Sequence, residues 1–243
     1  MKAETVAEQL GNIDAPEEKL QQEIKRLERK TVVSLEQVAT LHDWLESKRQ
    51  SKQSCRVVGE SRTGKTIACN SYRLRHKPKQ EVGKPPQVPV IYLQVPQECG
   101  AKDLFQGIIE HLKYQMTKGT VSEIKDIFDH LNIAIVLVGT DRLDAVIKKD
   151  EQVYNRFRAC YRFGKLSGED FVRTVNIWEK QVLKLPVASN LTNKRMLKLI
   201  GEATSGYIGI MDMVLREAAI RSLKKGLNKI DLDTLKEVVQ EYK

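Results

Sequence analysis

The sequence predicts an α/β fold: a central parallel sheet carrying a phosphate-binding loop, short helices before it and a helical lid domain after it. Three observations predict this. Gly59-Glu60-Ser61-Arg62-Thr63-Gly64-Lys65-Thr66 fits G-x-x-x-x-G-K-[ST], with a short apolar run before it and a helical pattern after it. Ile133 to Thr140 is an unbroken apolar stretch that suits a central parallel strand covered on both faces. From Ser167 onward the periodicity is helical throughout.

The first fifty residues read as helices packed on the core. Asp14-Ala15-Pro16-Glu17-Glu18 is a helix start, with a capping side chain, an early proline and acids in the first turn. Leu20, Ile24 and Leu27 then share a face. Ser34-Leu35-Glu36-Gln37 resembles a capping box and opens a second helix bearing Val38, Leu41 and Leu45. His42 and Trp44 on it read as packing residues. Residues 51–165 form the nucleotide-binding core. Cys55-Arg56-Val57-Val58 is its first strand and Ile67 to Tyr72 belong to the helix after the loop. A basic, proline-containing stretch, Arg73 to Gln87, leads to a second strand, Val88 to Val95, whose proline lies near its start. An amphipathic helix is predicted over 101–116, a short helix over 141–149, and a last strand over 159–163. Residues 166–243 form the lid domain, with Phe171, Val175, Trp178 and Val182 on one side of its first helix. Further helices are expected over 193–203, 211–225 and 231–242.

The loop's spacing follows from its chemistry. Gly59 and Gly64 allow a tight turn and close approach of a ligand. The amides of Glu60, Ser61, Arg62 and Thr63 then line an anion-binding nest, and the helix start at Lys65, Thr66 and Ile67 adds its partial positive charge. Lys65 reaches the β- and γ-phosphates of ATP, and the Thr66 hydroxyl ligates Mg²⁺.

A hydrolysing ATPase of this kind also needs a strand ending in Asp, often Asp-Glu, to hold the metal and orient water. That strand belongs between the second strand and Ile133, and it is missing. Thr117 to Asn132 spans 16 residues with no apolar run ending in an acid, whereas a strand plus its crossover helix takes roughly 30. Two explanations compete. Either the chain is a degenerate ATPase, or the sequence joins two stretches across an absent segment near Lys125-Asp126-Ile127. The second is preferred, because losing a central strand would disrupt a parallel sheet.

Composition narrows the partners. The chain has 243 residues, 41% of them hydrophobic, and a net charge of +9, a balance that favours a polyanionic partner. No run approaches the roughly 18 apolar residues of a membrane span. Cys55, Cys69, Cys99 and Cys160 form no C-x-x-C pair and read as core residues of a reducing compartment. His42, His76, His111 and His130 show no metal spacing. Asp141 and Asp144 read as a solvated helix face rather than metal ligands. Thr140 ends the long strand beside the expected γ-phosphate position, either sensing the phosphate or capping the next helix. In Asn155-Arg156-Phe157-Arg158, one arginine is a candidate finger for a neighbouring subunit's γ-phosphate; surface charge is the alternative. Lys102, Lys113, Lys118 and Thr120 either face DNA in the channel of a ring or form an ordinary solvated face.

Val57 to Thr66, Val136 to Leu143, Asn155 to Arg158 and Phe163-Gly164-Lys165-Leu166 together resemble the AAA+ transposition regulators of the TnsC/TniB/MuB type, most of all the branch from cyanobacterial CRISPR-associated transposons with a Cas12k effector. The resemblance implies a bacterial cytoplasmic protein that binds ATP and Mg²⁺ between subunits and polymerises as a helical filament on double-stranded DNA. It further implies a link between target selection, by the CRISPR effector with TniQ, and the transposase TnsB. Carried over by position, Gly59 to Thr66 would be the Walker A loop, Thr140 the sensor-1 residue, Arg156 the finger with Arg158 beside it, and Lys102 and Thr120 the residues tracking the DNA backbone. Two departures stand out. The Walker B acids are absent, and Ile210 stands near the place of a sensor-2 arginine, with Arg216 a full turn too late. Slow hydrolysis is therefore expected. The competing readings are an IstB- or DnaC-like helicase loader or insertion-sequence ATPase, and a non-hydrolysing scaffold that uses nucleotide only to hold its fold.

Overall fold

The computed structural model describes residues 14–29, 31, 33–79, 81, 88–94 and 134–242. The helices and strands, in chain order, are α1 (Asp14–Glu28), α2 (Glu36–Gln50), β1 (Cys55–Val58), α3 (Lys65–Arg75), β2 (Val136–Gly139), α4 (Asp141–Ile147), α5 (Glu151–Arg156), β3 (Ala159–Arg162), α6 (Gly168–Ile177), α7 (Lys194–Thr204), α8 (Ile208–Lys224) and α9 (Leu232–Glu241). A π-helical stretch, Trp178–Leu183, continues α6. The chain divides into two units, one of residues 36–163 and one of residues 1–35 with 164–243. The sequence pattern instead groups both N-terminal helices with the core. Here α2 packs on α3 beside the sheet, while α1 packs on α8.

The first unit is built on a three-stranded parallel sheet in the order β2-β1-β3. Cys55 pairs with Val136 on one side and with Ala159 on the other. Among the described residues β1 is the middle strand, and all four of its residues are buried. The expected strand over Ile133–Thr140 forms at 136–139 as β2, half-buried along its length. Val88–Gln94, where a second strand is expected, forms none; both edges of β1 are held by β2 and β3. Val90 and Tyr92 still pack against the core of Leu41, Leu45, Val57, Ala68, Cys69, Tyr72 and Phe163. Alternation along β1 sends Val57 to that face and Arg56 to the opposite one.

In the second unit the apolar faces of α7, α8 and α9 close around Ile200, Met211, Val214, Leu215, Leu235 and Val238, all essentially inaccessible. Asn193 caps α7 by accepting from the amides of Arg195 and Met196, and Asp231 caps α9 through Thr234. Helix α8 begins at Ile208, three residues before the expected start. Ser205 and Gly206 take left-handed backbone (φ 48° and 78°) and end α7, which lets α8 start at once. A Cβ on Gly206 would lie 2.2 Å from the Leu166 carbonyl oxygen, so only glycine fits. In the π stretch the Lys184 amide donates to Glu179 five residues back. Arg26 of α1 donates to the carbonyls of Val182 and Leu183 that this wide turn leaves at its end. Arg216 donates to Asp212 and to the carbonyls of Leu27 and Arg29, an anchoring role far from that of a phosphate sensor.

Candidate nucleotide-binding site

The site grows from the carboxyl end of β1. The Gly59 amide donates to the Gly139 carbonyl at 3.2 Å, so the loop starts against the end of β2. On the other side a Cβ at Gly59 would lie 2.1 Å from the Phe163 carbonyl oxygen. The loop then turns through Arg62 (φ 62°) and Gly64 (φ 94°), backbone that glycine adopts freely. Thr63 is buried and its hydroxyl donates to the Glu60 carbonyl at 2.9 Å. Helix α3 begins directly at Lys65 with no side-chain cap and no acid in its first turn. The amides of Lys65, Thr66 and Ile67 therefore lack intrahelical acceptors and carry the positive end of the helix dipole.

Lys65 is 7% exposed. Its ammonium donates to the Glu60 carbonyl and, at 3.2 Å, to the Thr63 hydroxyl. Burial pushes its pKa below the ordinary lysine value, and the Asp141 carboxylate offsets part of that shift. A desolvated ammonium curled over a glycine turn suits a multiply charged phosphate, which would restore the lost solvation. The cradle fits a nucleotide on two counts: a Cβ at Gly59 has no room, and the helix start is uncapped. The Thr66 hydroxyl is exposed and pairs with the Tyr92 hydroxyl. A hard-oxygen donor there suits Mg²⁺, which when bound would neutralise charge on the phosphates.

Thr140 follows β2 beside the loop. It occupies the N-cap position of α4, yet its side chain makes no cap bond. Asp141 is exposed and pairs with Arg162 at 3.1 Å. Asp144 departs from the sequence expectation. It is buried, not solvated, and accepts from Arg56 at 2.7 Å and Lys148 at 2.8 Å. Lys148, and then Arg56, hold its carboxyl below the usual range. Among the described residues no group of His, Cys, Asp and Glu is arranged to hold a metal.

Arg156 ends α5 and Arg158 precedes β3; both are exposed. The strands are parallel and Ala159 pairs with Cys55. These arginines therefore lie at the amino end of the sheet, whereas the loop and Thr140 lie at its carboxyl end, about 13 Å away along four residues of strand. The structure brings Gly59–Ile67, Thr140 and Tyr92 together and leaves Arg156 and Arg158 apart from them. Lys102, Lys113, Lys118, Thr120 and the 125–127 region lie outside the described residues. Sequence reasoning missed Arg56 and Tyr92. An arginine inside an apolar strand was the available signal, since a buried charge needs a partner.

Cys55 and Cys69 are buried, and burial raises them to about 12 and about 11, which leaves them as unreactive thiols; Cys160 is half-buried and Cys99 lies outside the described residues. His42 is buried, with Nε2 2.9 Å from the Ala68 carbonyl and Nδ1 accepting from Arg75 at 2.9 Å. Among the described residues no helix is long and apolar enough to cross a membrane.

A strand, a glycine turn with a buried lysine and an uncapped helix define a P-loop arrangement. The model of the family described as bacterial TniB protein matches residues 21–124 and 117–164, more than half of the chain, and the chain belongs to that family. No curated protein matches it. The family implies a transposition-associated ATP-binding regulator of the P-loop NTPase type. The two matched stretches overlap at 117–124.

Proposed function

We propose that this protein is an AAA+ ATPase that assembles as a helical filament on duplex DNA and links target selection to a transposase. The observation that carries the reading is the Gly59–Thr66 cradle with its buried Lys65 and uncapped helix, in a chain of the TniB family. In this reading Lys65 binds the β- and γ-phosphates, Thr66 the Mg²⁺, and Thr140 senses the γ-phosphate. Arg156, with Arg158 beside it, completes the site of a neighbouring copy. Their distance from the chain's own loop supports action in trans. Lys102, Lys118 and Thr120 contact the DNA backbone, residues 166–243 act as the lid, and TnsB, TniQ and a Cas12k-type effector are the partners. Contacts confined to phosphates give little sequence preference and a steep salt dependence.

Negative-stain imaging and sedimentation with ATP, Mg²⁺ and duplex DNA test the proposal. Filaments are expected only when nucleotide and DNA are both present, and Lys65→Ala should abolish them. Filaments formed equally well without nucleotide would refute it.

A further inference from the structure

Arg56 sits in the middle of the central strand, 5% exposed, where an apolar residue would be the ordinary choice. A buried ion pair is weak evidence for stability, since well-packed apolar replacements are often neutral or better. What Arg56 holds is more informative. Its Nε donates to the Asp144 carboxylate at 2.7 Å. Its Nη1 donates to the carbonyls of Phe157 and Arg158. Its guanidinium lies over the Tyr154 ring of α5, 5.2 Å from the centroid. One side chain thus grips both ends of the short segment that carries Arg156 and Arg158.

Asp144 leads back toward the nucleotide loop. It lies one turn into α4, the helix that starts straight after Thr140, so about 4.5 Å of helix separates Asp141 from Asp144. The Leu143 amide donates to the Thr140 carbonyl at 2.9 Å. A Cβ on Gly139 would lie 2.7 Å from Leu143, so α4 is seated hard against the end of β2. A continuous set of contacts runs from Thr140 through α4 and Asp144 to Arg56 and the Phe157–Arg158 peptide.

We propose that Arg56 is a positioning residue that sets the Arg156–Arg158 segment for the nucleotide of a neighbouring copy, and that its pairing with Asp144 ties this setting to the helix beginning at Thr140. A chain's own nucleotide site would thereby influence the arginines it offers to its neighbour. The inference rests on the reading of Arg156 and Arg158 as fingers acting in trans.

The test replaces the pair by apolar residues, Arg56→Met with Asp144→Leu, and separately makes Arg56→Lys, which keeps a charge for Asp144 but loses the fork reaching both carbonyls. Three quantities are measured with a non-hydrolysable ATP analogue and Mg²⁺: the unfolding midpoint, nucleotide affinity of the unassembled chain by fluorescence, and the protein concentration for half-assembly on duplex DNA. The unfolding midpoint should stay within a few degrees of the parent and the affinity within about twofold. The assembly midpoint should rise by about tenfold or more, the loss in affinity that goes with roughly one charge-assisted contact at an interface. Adding Arg156→Ala and Arg158→Ala should raise it no further. A parental assembly midpoint in both Arg56 variants, or a fully additive loss on combination, overturns the inference while leaving the finger reading intact. A parental midpoint in the Arg156→Ala, Arg158→Ala chain overturns the finger reading and this inference with it.

Discussion

Replacing Gly59 with alanine should damage the fold and the nucleotide site together. The added Cβ would meet the Phe163 carbonyl oxygen at 2.1 Å and its carbon at 3.2 Å, whereas a relaxed carbon–oxygen contact needs about 3.3 Å. The end of β3 must retreat by roughly 1.2 Å. It is not free to do so, because the Phe163 amide donates to Val58 at 2.8 Å and the Gly59 amide is held by Gly139 at 3.2 Å. Overpacking costs about 1–3 kcal/mol, and loosening the Phe163 hydrogen bond adds about 1 kcal/mol. The sum, about 2–4 kcal/mol, corresponds to a fall in Tm of roughly 4–16 °C for a chain of this size. Gly164→Ala is the control: no atom lies within 4 Å of the place its Cβ would take, and its effect should stay within about 0.5 kcal/mol. Thermal unfolding of both variants, with and without ATP and Mg²⁺, reads the outcome. Equal midpoints for Gly59→Ala and Gly164→Ala would refute the close-approach argument.

Lys65→Ala should abolish nucleotide-dependent stabilisation, because each charge-assisted hydrogen bond to phosphate contributes about 1.5–3 kcal/mol; an unchanged ATP titration would discard the site. Asp144→Ala leaves the Arg56 guanidinium buried without its carboxylate and should cost about 3–5 kcal/mol, read by denaturant unfolding, while the paired apolar exchange should be close to neutral. His42 gives a pH dependence. Burial holds its pKa below the ordinary 6.5, so below that pH the unfolded chain binds the proton more readily than the folded one. Stability is then fully present above about pH 6.5 and falls as the pH drops toward the depressed value. His42→Gln should flatten that slope; the same slope in the variant would assign it to other groups.

The loop was legible because each of its residues answers to chemistry within a few positions: two glycines for the turn, a lysine for charge, an uncapped helix start for anions. Helices with strong apolar faces were legible for a similar local reason, and α1 begins at Asp14 as its capping residues predict. The sheet was less so. An apolar run such as Ile133–Thr140 announces a buried strand but not its place in the order, and edge occupancy is decided by strands far away in sequence. Asp144 reads as solvated in the sequence because the buried partner Arg56 lies 88 residues away; the helix pattern of 141–149 offers only Lys148, an exposed i,i+4 partner. The left-handed backbone of Ser205 and Gly206, which no periodicity announces, explains why α8 starts at Ile208 and admits Gly209 into its first turn.

The wide turn at Trp178–Leu183 fixes a length as well as a shape. A π turn carries one residue more than an α-helix would over the same rise, and each residue of an α-helix rotates its successors by about 100°. Removing that one extra residue would let an ordinary helix run through with the positions after it pointing much as they do now, so Val182 and Leu183, 3% and 1% exposed, would stay inside. What the deletion would take away is the widened turn itself, and with it the end at which two carbonyls are left for Arg26.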